Sequence, residues 1–564
     1  MRNFFEDNED LIFCFESDGL ERLAGLQEKG FGERGAFDYA PADAADAIDS
    51  YRRTLSILGE LAAEFIEPRS AQVDQDGSVL AGGEVRYATG ISESLDMLSK
   101  ADLMGFTLPR RYGGLNLPTI VYAMAIEIVA RADASLMNIF GLQSIAETIN
   151  DYASDKIKEK YLPLFASGEV TGAMALTEPD AGSDLQSVRL KAVPGDDGMW
   201  RLSGVKRFIT NGGGDVLLVL ARSEEDAGGL GLSLFLCERK AGVKVRRLEE
   251  KLGIHGSPTC ELEFNDVPAL LIGERRRGLV TYVMSMMNGA RLAIAAQSIG
   301  IAQAAYNEAR TYAFTRAQFG ERIEKLPPVA DMLLDMRMKI EGARALTCKT
   351  AEVVDTVRGL SAGRDTPRKE IRRLERLAGM LTPLSKYYAS EMCIEVTSDA
   401  VQVLGGSGYM RDYPVERHLR DARITNIYEG TSQLQVLAAV RSVTSGLAGK
   451  LFLELESEEY DRRLAGKLSE ARGLLEETAA HVKESEGSAY VDLYARHLVD
   501  MATGITIGYL FLEQAKRSGR KLLMARRFIT RLLPVVRMKA EQVKSGERSA
   551  LTDFDELAGP VSQS

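Results

Sequence analysis

The residues best suited to acid–base chemistry lie in the stretch Arg420-Asp421-Ala422-Arg423-Ile424-Thr425-Asn426-Ile427-Tyr428-Glu429-Gly430-Thr431-Ser432-Gln433. Glu429 is a carboxylate followed at once by Gly430, whose missing side chain lets the backbone take positive φ or pass close to a ligand. Thr431, Ser432 and Gln433 add hydroxyl and amide groups that can cap the next helix or hydrogen-bond a polar ligand. The stretch reads as a loop between two helices. A solvated Glu at a turn has the same local pattern, so other segments have to decide between the two.

Four further segments carry groups of the right kind. Ala175-Leu176-Thr177-Glu178-Pro179-Asp180-Ala181-Gly182-Ser183-Asp184 ends a predicted strand, with hydroxyls at Thr177 and Ser183 and exposed backbone N–H groups around Gly182. In Lys206-Arg207-Phe208-Ile209-Thr210-Asn211-Gly212-Gly213 an aromatic stands two positions before a hydroxyl. That spacing suits covering one face of a flat ring and hydrogen-bonding its edge; a strand-end aromatic in a core is the plainer alternative. Thr315-Arg316-Ala317-Gln318-Phe319-Gly320 offers a guanidinium that can grip a pyrophosphate through paired donors. Gln402-Val403-Leu404-Gly405-Gly406-Ser407-Gly408 is, taken alone, a tight turn.

Taken together and in this order, these segments resemble the acyl-CoA dehydrogenase family. The resemblance implies FAD as cofactor and Glu429 as the base that removes the α-proton of an acyl-CoA thioester. It places Leu176, Thr177, Gly182 and Ser183 against the flavin and the thioester, Phe208 on the isoalloxazine and Thr210 near its N5. Arg316, Gln318 and Phe319, with Gln402, Gly405 and Gly406, would reach FAD from an adjacent subunit. Thr431 and Gln433 join the cofactor set, and Ser183, Arg291, Tyr428, Glu429 and Gly430 the substrate set. In one branch of the family the catalytic Glu sits on the helix that carries Arg291. Ala290 and its neighbours supply no carboxylate there, so the role falls to Glu429. Two departures stand out: Phe208 where many relatives carry Trp, and Leu326-Pro327-Pro328-Val329 where relatives begin a Gln-containing helix. The string Lys251-Leu252-Gly253-Ile254-His255-Gly256-Ser257-Pro258-Thr259-Cys260, with Pro383 expected to interrupt a bundle helix, is most similar to the long bacterial subgroup that includes 3-(methylthio)propanoyl-CoA dehydrogenases.

Composition sets the outer bounds. The 564 residues suffice for three or four domains, and 45% hydrophobic with 27% charged residues is ordinary globular usage. The net charge of −11 argues against a nucleic-acid surface. Five dispersed cysteines and four isolated histidines suggest no disulfide frame and no metal site, and fit a reducing compartment. The N-terminus lacks a basic region before an apolar run, and no apolar stretch reads as a bilayer span. The expectation is a cytoplasmic protein.

The elements that must position these groups follow from periodicity. Residues 51–66 form an amphipathic helix predicted to stop near Pro68, and residues 76–87 a hairpin turning at Gly82-Gly83. Helical spacing resumes at 92 and runs over 119–149. From 170 to 273 short apolar runs alternate with turns, including Gly195-Asp196-Asp197-Gly198, which reads as a β domain. Helical spacing returns over 292–314, 332–357, 384–403 and 433–443, and again over 460–483, 489–517 and 521–544. The expected fold is α+β and multidomain. It comprises an N-terminal extension (1–50), an all-α N-terminal domain (51–169) and a β-barrel domain (170–275). A four-helix bundle with the catalytic loop (276–447) and a C-terminal helical extension (448–564) follow. The basic run from Lys516 to Lys539 reads as a solvated face or one paired with the acidic body, with docking of an acidic partner as the alternative.

The implied reaction is oxidation of an acyl-CoA to its trans-2-enoyl-CoA, with electrons leaving to an electron-transferring flavoprotein and the enzyme a homodimer or homotetramer. The rivals are an acyl-CoA oxidase and a flavoprotein of the same fold that binds nucleic acid or a partner.

Overall fold

The computed structural model describes residues 1–17, 19–363, 367–485 and 487–562. The chain opens with α1 (Glu9–Phe15), α2 (Gly19–Gln27), α3 (Ala44–Leu61) and α4 (Ser70–Asp76). In α3, Ala47, Tyr51, Leu55 and Leu58 recur on one buried face, and the Asp43 carboxylate caps the first turn by accepting from the Asp46 N–H. The helical path does not stop near Pro68. It continues through a π turn (Ala62–Ile66) and a 3-10 turn (Glu67–Arg69) into α4. Pro68 falls in the first residues of that 3-10 turn, where a helix has no use for its missing N–H. Residues 1–50 are built into the protein, since Phe5, Leu11, Phe15, Leu20 and Leu23 share one core with Leu55, Val121 and Phe140.

The hairpin of β1 (Val79–Ala81) and β2 (Glu84–Arg86) turns on Gly82 and Gly83, both at positive φ. Then come α5 (Thr89–Lys100), α6 (Thr119–Ala132), α7 (Ala134–Leu142), α8 (Ile145–Tyr152) and α9 (Asp155–Ser167). The run expected over 119–149 is thus divided. Asp133 takes extended backbone and accepts from the Ser135 and Leu136 N–H groups, ending α6 and capping α7.

The β region holds β3 (Gly172–Ala175), β4 (Lys191–Pro194), β5 (Trp200–Thr210), β6 (Val216–Arg222), β7 (Leu232–Glu238), β8 (Lys244–Leu248) and β9 (Thr259–Ile272). Pairings run from β6 to β4, β5, β9, β7 and back to β6, closing a barrel-like sheet. β3 adds to β6 in parallel and β8 to β9 antiparallel. Both faces of β6 are buried: Leu217, Val219 and Ala221 fill the barrel, while Leu218 and Leu220 pack with α8 and α9.

The bundle is α10 (Met284–Thr315), α11 (Pro327–Ala362), α12 (Arg368–Leu404) and α14 (Ser432–Thr444), with α13 (Val415–Ala422) before the loop that carries Glu429. The two-residue strands β10 (Ala317–Gln318) and β11 (Glu321–Arg322) join α10 to α11. A Cβ at Gly300 would meet the Glu127 carbonyl at 2.4 Å, so the glycine is what lets α10 lie against α6. Pro383 does not interrupt its helix. It is buried inside an unbroken α12, whose packing outweighs one lost backbone hydrogen bond. Among the described residues one helical stretch, Gly278–Thr315, passes for a membrane span by length and composition alone, and half of its apolar window is buried within the protein.

The chain ends with α15 (Leu447–Glu456), α16 (Arg462–Ser485), α17 (Ser488–Ala515), α18 (Gly519–Lys544), α19 (Ser549–Thr552) and α20 (Phe554–Ala558). The basic run of α18 turns toward acidic groups of the same chain: Arg527 lies 2.7 Å from Asp331 and 2.6 Å from Asp335, and Lys539 lies 2.8 Å from Asp500. At its start Lys521, wholly buried, donates to Glu341 at 2.7 Å and to Asp10. Arg344 in turn joins Asp10 to Glu127. Burial pushes the Glu341 carboxyl up, but Lys521 and Arg520 hold it well below the usual carboxylate range. One cluster of charges therefore ties α1, α6, α11 and α18 together. Lys521→Met should leave two buried carboxylates short of a partner, at a cost of about 3–5 kcal/mol. Urea unfolding should register the loss, and limited proteolysis should release α16–α18 first.

Candidate active site

The loop from 423 to 431 is held from several sides. Thr425 is buried and donates to the Ala422 carbonyl at 2.8 Å, closing α13. The Thr431 hydroxyl caps α14 by accepting from the Leu434 N–H at 3.4 Å. Between them Glu429 (φ 53°) and Gly430 (φ 90°) are both left-handed. For Glu429 this is strained backbone, of the kind kept where function uses it. The Lys386 ammonium on α12 donates to the Gly430 carbonyl at 2.8 Å. The Gln435 amide on α14 donates to the Glu429 and Gly430 carbonyls at 3.1 and 3.0 Å. Glu391, also on α12, accepts from Ser432 Oγ at 2.5 Å and Asn426 Nδ2 at 3.1 Å. The Tyr428 hydroxyl donates to Gln297 Oε1 on α10, whose amide donates to Asn138 Oδ1 on α7 at 2.9 Å.

Glu429 opens onto a cavity of about 780 Å³, towards the upper end of small-molecule sites. Burial raises its carboxyl above the ordinary glutamate value, against the pull of Arg291 and then Lys386. The Arg291 guanidinium is lowered by burial, donates from Nη1 to Asn288 at 3.1 Å and has a buried Nε without a partner among the described residues. Burial also brings the Lys386 ammonium down to about 8, with Glu429 opposing.

A second wall of the same cavity comes from the barrel: Leu176, Thr177, Gly182, Ser183, Phe208 and Thr210. Its shape depends on a buried pair. The Glu178 carboxylate accepts from the Arg189 and Leu190 N–H groups at 2.8 and 2.9 Å and from Lys206 Nζ at 2.9 Å. Lys206 also donates to the Leu176 carbonyl at 2.8 Å, and burial lowers its pKa to about 8. The turn from 176 to 183 is thereby pinned to β5. At the end of β5 the register with β9 shifts between Lys206 and Ile209. Within that bulge Phe208 takes φ 60° and leaves its ring 52% exposed on the cavity wall. Bulges re-aim side chains in this way. An exposed flat ring beside a hydroxyl, backbone groups of a glycine turn, and space for a large planar ligand fit an isoalloxazine.

The structure brings together on this cavity Leu176, Thr177, Gly182, Ser183, Phe208, Thr210, Arg291, Tyr428, Glu429, Gly430 and Thr431. It leaves Arg316, Gln318, Phe319, Gln402, Gly405, Gly406 and Gln433 off it, all exposed. The first six share one end of the bundle, where the Tyr312 hydroxyl lies 3.4 Å from Ser407 Oγ. Phe319 is 92% exposed at the tip of the β10–β11 hairpin. Lys386, Gln435, Gln297 and Glu178 escape a reading of motifs. Lys386 and Gln297 lie far from the loop in sequence and only packing brings them to it, while Gln435 stands in the first turn of the helix that follows the loop. Glu178 stands within a quoted string but looks like any turn acid. A Cβ at Gly430 would meet Gln435 Nε2 at 2.6 Å at a left-handed position. Gly430→Ala should therefore cost about 1–2 kcal/mol in thermal stability. It should also slow turnover by moving the Glu429 carboxylate.

The chain matches the family descriptions "Acyl-CoA dehydrogenase, N-terminal domain" over residues 52–169, "middle domain" over 173–267, and "C-terminal domain" over 277–444. A further one, "Acyl-CoA dehydrogenase C terminal", matches 450–526. It is 34% identical over 562 residues to the 3-methylmercaptopropionyl-CoA dehydrogenase of Ruegeria pomeroyi, covering 90% of this chain and 93% of that protein. The butyryl-CoA dehydrogenase structure from Megasphaera elsdenii aligns with a TM-score of 0.62 at 32% identity, over 70% of this chain and 98% of that one. An acyl-CoA dehydrogenase of Bacillus anthracis, solved in complex with FAD, shares the fold over 91% of this chain and 92% of its own, at a TM-score of 0.74 and 23% identity. The chain belongs to the acyl-CoA dehydrogenase family and is an FAD-dependent oxidoreductase.

Proposed function

We propose that the protein oxidises an acyl-CoA thioester to the trans-2-enoyl-CoA with Glu429 as the α-proton base. The observation that carries this reading is the place of Glu429: a carboxyl raised by burial, facing the cavity whose other wall is Phe208 and Thr210. A solvent-exposed Glu, at about 4.3, is a weak match for a carbon acid, and a raised value improves it. The thioester oxygen is polarised by the Glu429 amide, which has no acceptor among the described residues. A donor aimed at developing charge stabilises the enolate-like state. Arg291 and Tyr428 line the same space and hold the carboxylate's side of the substrate. FAD, bound along the barrel wall, supplies the acceptor for the β-hydride. The acyl end meets Leu142, Met284, Met287 and Ile294, an apolar surface that adapts to short alkyl or thioether groups.

The exposed set Arg316, Gln318, Phe319, Gln402, Gly405 and Gly406 reaches the cofactor of a neighbouring copy, which makes the working unit a homodimer or homotetramer. Gln433 joins Thr431 in the cofactor set. Electrons pass to an electron-transferring flavoprotein, and free thiols at all five cysteines suit a cytoplasmic enzyme.

Glu429→Gln should bind FAD and acyl-CoA yet fail to bleach the flavin during anaerobic titration, a loss of at least a thousandfold in rate. Bleaching at the wild-type rate removes Glu429 from the role. A panel that includes a methylthio acyl-CoA, run with either an electron-transferring flavoprotein or oxygen as acceptor, should show turnover with the flavoprotein and little peroxide.

A further inference from the structure

Lys386 is an unusual residue to find beneath a glutamate turn. Its side chain is wholly buried at the centre of α12, and its hydrogen bond goes to a neutral acceptor, the Gly430 carbonyl. That carbonyl already accepts from Gln435 at 3.0 Å, so the hydrogen bond by itself does not call for a cation. Burying an ammonium is unfavourable unless a charge offsets it. The charged groups that face Lys386 are Glu429 from the loop, Arg291 from α10 and Glu391 from its own helix. Glu391 is engaged elsewhere, with Arg496 at 2.9 Å and with Ser432 and Asn426. Two cations, Arg291 and Lys386, are thus left beside one carboxylate, a local balance of about +1 when Glu429 is ionised.

We infer that Lys386 is a positioning residue for Glu429 in two senses. Its Nζ fixes the 429–430 turn, and its charge favours the carboxylate form of Glu429 and complements negative charge arriving at the thioester. The second part rests on the reading of Glu429 as the base; the electrostatic coupling does not. Lys386→Gln keeps a donor for the Gly430 carbonyl and removes the charge, whereas Lys386→Arg keeps the charge.

The test is an infrared pH titration of the Glu429 carboxyl band in the FAD-loaded full chain, with the band assigned by its absence in Glu429→Gln. In Lys386→Gln the midpoint should rise by about one pH unit, leaving about tenfold less carboxylate below the midpoint, while Lys386→Arg stays near wild type. The pH profile of flavin bleaching should move with it, in kcat more than in KM. An unmoved band in Lys386→Gln that holds its normal FAD overturns the proposal. If that variant does not fold, the wild-type band decides: above its main step it should show a second response where Lys386 loses its proton, and a band that titrates in a single step overturns the coupling. Turnover by Glu429→Gln would remove the base and leave the coupling measurable; an unmoved band would remove Lys386 and leave the base.

Discussion

The proposed chemistry depends on keeping one carboxyl group out of easy reach of water. Glu429 sits on left-handed backbone at the end of a loop whose every strong contact comes from another helix: Gln297 through Tyr428, Lys386 and Glu391, and Gln435. Of these contacts a neutral hydrogen bond contributes about 1 kcal/mol net, and one to a charged group such as Lys386 or Glu391 about 1.5–3 kcal/mol. Together they fix a strained turn and surround it with low dielectric. The same burial that strains the turn raises the carboxyl, so position and proton affinity share a cause.

The opposite wall uses the same device with different parts. A buried carboxylate–ammonium pair, Glu178 and Lys206, ties a glycine turn to a strand, and a bulge in that strand swings Phe208 into the open. Both walls therefore place their working groups by holding backbone in uncommon conformations. The load is carried by elements that are themselves rigid, the closed sheet on one side and α10 and α12 on the other.

Much of this was legible beforehand. The alternation of periods gave helices, then strands, then helices, and the hairpins at Gly82-Gly83 and 195–198 stand where their glycines put them. The loop around Glu429 announced itself because its residues are contiguous. Misread points share a reason. Pro68 and Pro383 read as stops, yet tertiary packing carries the helical path through both. Lys386 and Gln435 could not be found by pattern at all. A lone Lys or Gln in a helix carries no mark of what it will touch once α12 and α14 meet the loop.

The cluster that joins Asp10 to Lys521 spans 511 positions of chain. During synthesis Asp10 leaves the ribosome long before its ammonium partner. Arg344 can meet Asp10 and Glu127 earlier, but Glu341 has to wait for Arg520 and Lys521 to complete its surroundings. A nascent chain halted before α18 therefore has Arg337 and Arg344 beside these carboxylates but lacks the two cations that complete the surroundings of Glu341. The seam of α1, α11 and α18 closes only once α18 has been made, however early α1 folds.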